Sequence, residues 1–145
     1  MRLVLDTNVW IDWLLFDDPA VAPLKAAQRD GQVQIVVNAP CLAELNAVLS
    51  YPEFGLDDTQ QAAHLTAVRR CTIMHDQGQA AHATALPRCT DPDDQKFLIL
   101  ALDAAADWLL TRDKALLRIR QKKLEAAGFQ IGTPARWVAS SPGLI

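Results

Sequence analysis

Three features of the 145-residue sequence predict an α/β protein of three layers, built on a mainly parallel sheet of four to five strands. Short apolar runs alternate along the chain with stretches of helical periodicity, the pattern of successive strand–helix–strand units. The first run, Leu3-Val4-Leu5, is apolar at every position, as a strand covered on both faces requires. No internal repeat, low-complexity tract or linker interrupts the alternation, so one domain spanning residues 1–145 is expected.

The elements follow in order. Asp6-Thr7-Asn8 supplies helix-capping side chains, and a helix should run to about Phe16, where Asp17-Asp18-Pro19 breaks it. A second helix is expected over Ala20 to Arg29, closed by Gly31, and "VQIVVN" (Val33 to Asn38) reads as a second strand rich in β-branched residues. Ala39-Pro40 opens a helix with Leu42, Leu45, Val48 and Leu49 on one face, ending before Pro52. Asp57-Asp58-Thr59 caps a further helix through about Arg70.

The segment from Cys71 to Arg88 is the least legible, with "CTIMH" a candidate third strand. "TDPDDQKFLILALDAAA" starts a helix firmly. Asp91 can cap, Pro92 suits the first turn, and the acids sit at the positive end of the helix dipole. Asp107 to Thr111 is a strand, Asp113 starts a short helix to about Ile119, and a basic helix ends at Gly128. "FQIGT" is the last strand, and Pro134 opens a terminal helix containing Trp137.

Composition narrows the class without fixing the function. Half the residues are hydrophobic and 21% are charged, as in ordinary globular proteins. The net charge of −3 gives no hint of a protein that merely wraps nucleic acid. It does not exclude a nucleic-acid enzyme whose metal-binding carboxylates lower the charge. No stretch resembles a signal peptide or approaches the roughly 18 apolar residues of a membrane span. Cys41, Cys71 and Cys89, odd in number and widely spaced, argue against a disulfide framework, so a cytoplasmic location is expected. Cys71, His75, His82 and Cys89 mimic a zinc set, but their spacing matches no standard pattern.

In open parallel sheets ligands collect beyond the carboxyl ends of the strands. Asp6 lies there after the first strand and Asp113 after "WLLT", while Glu44 interrupts the apolar "CLAEL" one turn into the helix after the second strand. Asp91, Asp93 and Asp94 crowd the start of the helix before "DWLLT". Carboxylates converging on one rim would repel unless a cation lay among them, and oxygen-rich sites suit Mg²⁺ or Mn²⁺. Each acid also has a plainer reading: Asp6, Asp91 and Asp113 as helix caps, Glu44 as a solvated helix position, Asp94 as a dipole-stabilising acid.

"LVLDTNVWID", Glu44, "DPDDQKFLILALDAAADWLLTRDKALL" and "IGTPARWV" together resemble a PIN-domain protein, and more specifically the VapC-like ribonuclease toxins of bacterial toxin–antitoxin pairs. The resemblance implies a Mg²⁺- or Mn²⁺-dependent endoribonuclease cleaving RNA phosphodiester bonds. It carries Asp6, Glu44, Asp94 and Asp113 over as catalytic acids, with Asp6, Asp94, Asp113 and alternatively Asp91 as metal ligands. Thr7 and Asn8 match the supporting residues that hold the first acid in place, and Thr111 matches the small hydroxyl residue that usually precedes the last acid. A small antitoxin occluding the acid pocket and a homodimer are the implied partners.

Arg118, Arg120, Lys122 and Lys123 read either as a solvated face or as a track for RNA phosphates. Trp10, Trp13, Trp108 and Trp137 read as core or dimer-interface residues rather than base-stacking platforms. Asp12, Asp17, Asp18, Asp57, Asp58, Asp103 and Asp107 read as surface or cap acids. A catalytically inactive PIN-like module binding RNA or protein is the alternative function. A phosphoryl-accepting receiver domain fits poorly, because Asp6 is followed by Thr7 and Asn8 and "VQIVVN" ends in Asn38.

Overall fold

The computed structural model describes residues 1–75, 86–89 and 91–141. Five strands form one all-parallel sheet: β1 (Arg2–Leu5), β2 (Gln34–Val37), β3 (Ile73–Met74), β4 (Trp108–Leu110) and β5 (Gln130–Gly132), in the order β3-β2-β1-β4-β5. The first three strands therefore step outward from β1 in one direction and the last two in the other. The order reverses between β1 and β4, and that switch point is where open parallel sheets leave a crevice at their carboxyl ends.

Helices cover both faces: α1 (Thr7–Ile11), α2 (Ala22–Arg29), α3 (Ala39–Leu49), α4 (Asp58–Arg70), α5 (Gln95–Asp103), α6 (Lys114–Leu117), α7 (Gln121–Leu124) and α8 (Pro134–Ala139). Alternation along the strands divides the core in two. Leu3, Leu5, Ile35 and Val37 pack on one face with Leu24 of α2, Leu45 of α3 and Trp137 of α8. Val4, Val36 and Leu109 face the other way, onto Phe97 and Leu100 of α5 and onto Leu116 and Leu124. The expected three layers and mainly parallel sheet are what the chain forms.

Several elements are shorter or differently wound than the sequence suggested. The helix expected through Phe16 is α-helical only to Ile11. A wider π-helical turn carries Asp12–Phe16, and Asp17, in the left-handed conformation at φ 45°, closes it. The expected Ala20–Arg29 helix begins as a tight turn at Pro19–Val21 capped by Asp18. "CTIMH" does supply a third strand, but only two residues of it pair, both exposed at the sheet edge. The helices expected after Asp113 and before Gly128 shrink to single turns, because Arg120 is extended between them and redirects the chain. Trp10, Trp108 and Trp137 are buried, in keeping with their core reading.

Gly132 is required by a close approach. A β-carbon there would lie 2.7 Å from Cζ3 of the buried Trp108 indole. Gly132→Ala is expected to destabilise the protein by about 1–3 kcal/mol, the usual cost of overpacking a filled core. A lower denaturant midpoint at unchanged m-value would report it.

Candidate active site

The register of β1 against β4 sets the site. Leu5 pairs with Leu110, and the Asp6 amide donates to the Leu110 carbonyl at 2.9 Å, so Asp6 and Thr111 emerge side by side from the strand ends. A one-residue slip would turn every strand side chain to the opposite face, so the packing of both core halves also fixes the acid's position. Asp6 is only 4% exposed. Its Oδ1 accepts the Thr7 amide at 2.7 Å, its Oδ2 accepts the Thr111 hydroxyl at 2.7 Å, and the Asn8 amide donates more weakly at 3.4 Å. Thr111 in turn accepts the Asp113 amide at 2.9 Å, so one buried hydroxyl ties the first acid to the last. The Asn8 side-chain oxygen Oδ1 accepts the Arg112 backbone amide at 3.1 Å, adding a second tie between the two strand ends.

Asp94 arrives from the tight turn that leads into α5. Asp91 caps the tight turn Pro92–Asp94, its Oδ1 accepting the Asp93 amide at 3.0 Å, and stays exposed, as does Asp93. The turn brings Asp94 inward, half-buried. One carboxylate oxygen each from Asp6, Asp94 and Asp113 lie within 4.8 Å of one another. Asp91 is not in that cluster. Asp113 also caps α6 through its Oδ1 and the Ala115 amide at 2.9 Å. Capping and clustering are thus not alternatives for Asp6 and Asp113: the cap is what aims the carboxylate.

The electrostatics follow from the crowding. Asp94 is pushed up to about 7 by burial, by its hydrogen bond with Asp113 and by the charges of Asp6, Asp113 and Asp91. Burial also raises Asp6, opposed by its bonds from Thr111 and Thr7 and reinforced by Glu44 and Asp113. Three carboxylates this close resist full ionisation in the absence of a cation. Their donor set, all hard oxygens from ionisable groups, fits a hard divalent cation.

Glu44 stands beside this cluster rather than in it. Both of its oxygens have protein partners: the Thr7 hydroxyl donates to Oε2, and Lys96 Nζ lies 2.7 Å from Oε1. Burial alone would lower the Lys96 pKa, but the hydrogen bond and charge of Glu44 outweigh it and the net shift is upward, so the amine stays charged. Sequence reading missed Lys96, since nothing local links it to an acid 52 positions away.

It also took Asp12 for a surface or cap acid. Asp12 is instead buried at 3% exposure and holds Arg112 Nε at 2.6 Å. Arg112, lying between Thr111 and Asp113, lines the same cleft as the acids. Arg118, Arg120, Lys122 and Lys123 are exposed, and none of them lines it. His82 lies outside the described residues. Of the cysteines that accompanied it in the zinc pattern, burial pushes the Cys89 thiol up to about 11.

A model of the PIN domain matches residues 2–115. The chain belongs to the PIN-domain family. No curated protein matches it. PIN domains are generally nucleases and typically use divalent metals, which agrees with an acid cluster at the switch point of the PIN fold. The matched span contains Asp6, Glu44, Asp94 and Asp113. Among the described residues, no helix is long and apolar enough to cross a membrane.

Proposed function

We propose that this chain is a Mg²⁺- or Mn²⁺-dependent endoribonuclease of the VapC-like group, the toxin of a type II toxin–antitoxin pair, acting as one domain over residues 1–145. The observation that carries the reading is the convergence of Asp6, Asp94 and Asp113 within 4.8 Å, from segments more than 85 positions apart in the case of Asp6 and Asp94. These three residues would hold the ion. The chemistry supplied by such an ion is Lewis-acidic: polarisation of a phosphoryl oxygen and acidification of water.

The rest is the work of the chain's own side chains. Thr7 and Thr111 lock the two oxygens of Asp6, so the ligand loses little rotamer freedom when it binds. Glu44, fixed by Thr7 and Lys96, lines the cleft and orients the attacking water. Lys96, permanently charged, offsets the acids without acting as a base. Arg118, Arg120, Lys122 and Lys123 form an exposed track for RNA phosphates beyond the cleft. A small antitoxin would close the cleft by placing a basic side chain among the acids. The active form is a cytoplasmic homodimer.

Incubation of the purified protein with labelled RNA tests this reading. Cleavage should vanish in EDTA and return with added Mn²⁺. Cleavage that persists in EDTA removes the metal from the mechanism, and no cleavage with either ion leaves the inactive binding module as the better description. Expression should arrest growth, and co-expression of a small protein encoded next to the gene should relieve it.

A further inference from the structure

The cleft that holds the acids also has an apolar side. It encloses about 520 Å³, enough for one or two nucleotides, and Ile11, Phe16, Val48 and Phe54 line it together with Asp6, Asp94 and Asp113. Phe16 is 60% exposed, the most exposed large hydrophobic side chain among the described residues. Its ring meets Phe54 edge-on with centroids 6.2 Å apart, and Tyr51, itself exposed, lies parallel to Phe54 at 6.4 Å and 3°. Phe16 is presented by the π-helical turn that Asp17 closes, and Tyr51 and Phe54 by the tight turn Pro52–Phe54 after α3. Phe16 and Phe54 thus form an aromatic ledge in the cleft of the acid cluster, continued outside its lining by Tyr51, with Arg112 in the same cleft on its Asp12 anchor.

We propose that this ledge is a stacking platform for an unpaired base of single-stranded nucleic acid, placing the neighbouring phosphodiester over the acids. The proposal rests on the nuclease reading for its register and deepens it by assigning substrate recognition. Continuity decides the occupant: an exposed ring and a cation share one cleft with a site suited to phosphate, and base–aromatic stacking needs only an open ring face. An amphipathic helix of a protein partner needs a run of apolar anchors, whereas eight of the twelve lining residues here are polar or charged. A base held in a duplex cannot present its face to the ledge, so unpaired substrate is preferred.

The test compares the parent with Phe16→Ala, Phe16→Leu and Phe16→Trp, with Mg²⁺ present, on short single-stranded RNA and on the same RNA with one abasic position beside the cleavage site. Phe16→Ala and Phe16→Leu should each raise KM by about tenfold, the usual effect of removing one stacking ring. Phe16→Trp should restore it, and the difference between parent and variants should disappear on the abasic RNA. Leucine performing as well as phenylalanine, or KM indifferent to all three changes, overturns the platform and leaves the ledge to a protein partner. Binding is read separately, in Ca²⁺, from quenching of a fluorescent aminopurine placed at that position. If the parent cleaves nothing, the nuclease reading fails. The platform then stands if the parent quenches and Phe16→Ala does not, and falls if neither quenches.

Discussion

Asp6→Asn is expected to reduce RNA cleavage by more than about a hundredfold while leaving the metal-free protein as stable as the parent, or more so. Loss of a residue that merely orients a metal ligand costs roughly 10–100-fold, and Asp6 is proposed as the ligand itself. The expected gain in stability comes from the same carboxylate. Burial raises the pKa of Asp6, so its ionised form is disfavoured in the folded protein. Asparagine keeps the size and an oxygen for the Thr7 amide, and its amide group can donate to the Thr111 hydroxyl. Thermal melts separate site from scaffold. Mn²⁺ at about a hundred times its dissociation constant should stabilise the parent by about 2.7 kcal/mol and the variant far less. Equal cleavage by parent and variant would remove Asp6 from the mechanism. A variant that unfolds would make Asp6 a structural acid.

The sequence makes the fold legible because strand-length apolar runs and capping residues are local signals. The positions of Asp6 and Asp113 follow from them, since a carboxylate directly after a buried strand, or in the short turn that leaves one, goes to the sheet rim. The choice among Asp91, Asp93 and Asp94 was not legible. It depends on the tight turn Pro92–Asp94, whose three residues per turn rotate successive side chains further than an α-helix does, and composition does not distinguish the two windings. The Glu44–Lys96 and Asp12–Arg112 pairs were hidden for a different reason, because each joins elements brought together only by the crossover connections. Asp12 looked like a surface acid because the sequence predicts a regular helix, whereas the wider turn at Asp12–Phe16 buries Asp12 and turns Phe16 outward. The tryptophans read as core or dimer-interface residues rather than stacking platforms. Three of these are buried, and the exposed rings belong to Phe16 and Tyr51.

The stability of the metal-free protein and the increment that a divalent ion adds to it should depend on pH in opposite directions. Asp94 titrates at about 7 in the folded protein against 3.8 for an ordinary aspartate, chiefly because it is buried and then because Asp113 and the other acids crowd it. Between about pH 4 and pH 7 the folded state therefore binds more protons than the unfolded chain, so the stability of the metal-free protein falls as pH rises through that window. Asp6 and Asp12, both raised by burial, act in the same direction. Metal binding requires ionised carboxylates, so below about pH 7 each ion must displace a proton, and apparent affinity should weaken by up to about tenfold per pH unit. Melts in EDTA from about pH 5 to pH 8 should show a declining Tm, while the increment added by a fixed Mn²⁺ concentration grows over the same range. Asp94→Asn should flatten both trends, because it removes the group that holds the proton. An increment that is constant with pH in the parent would mean that no proton leaves when the ion binds, and the three acids would then not form one shared site.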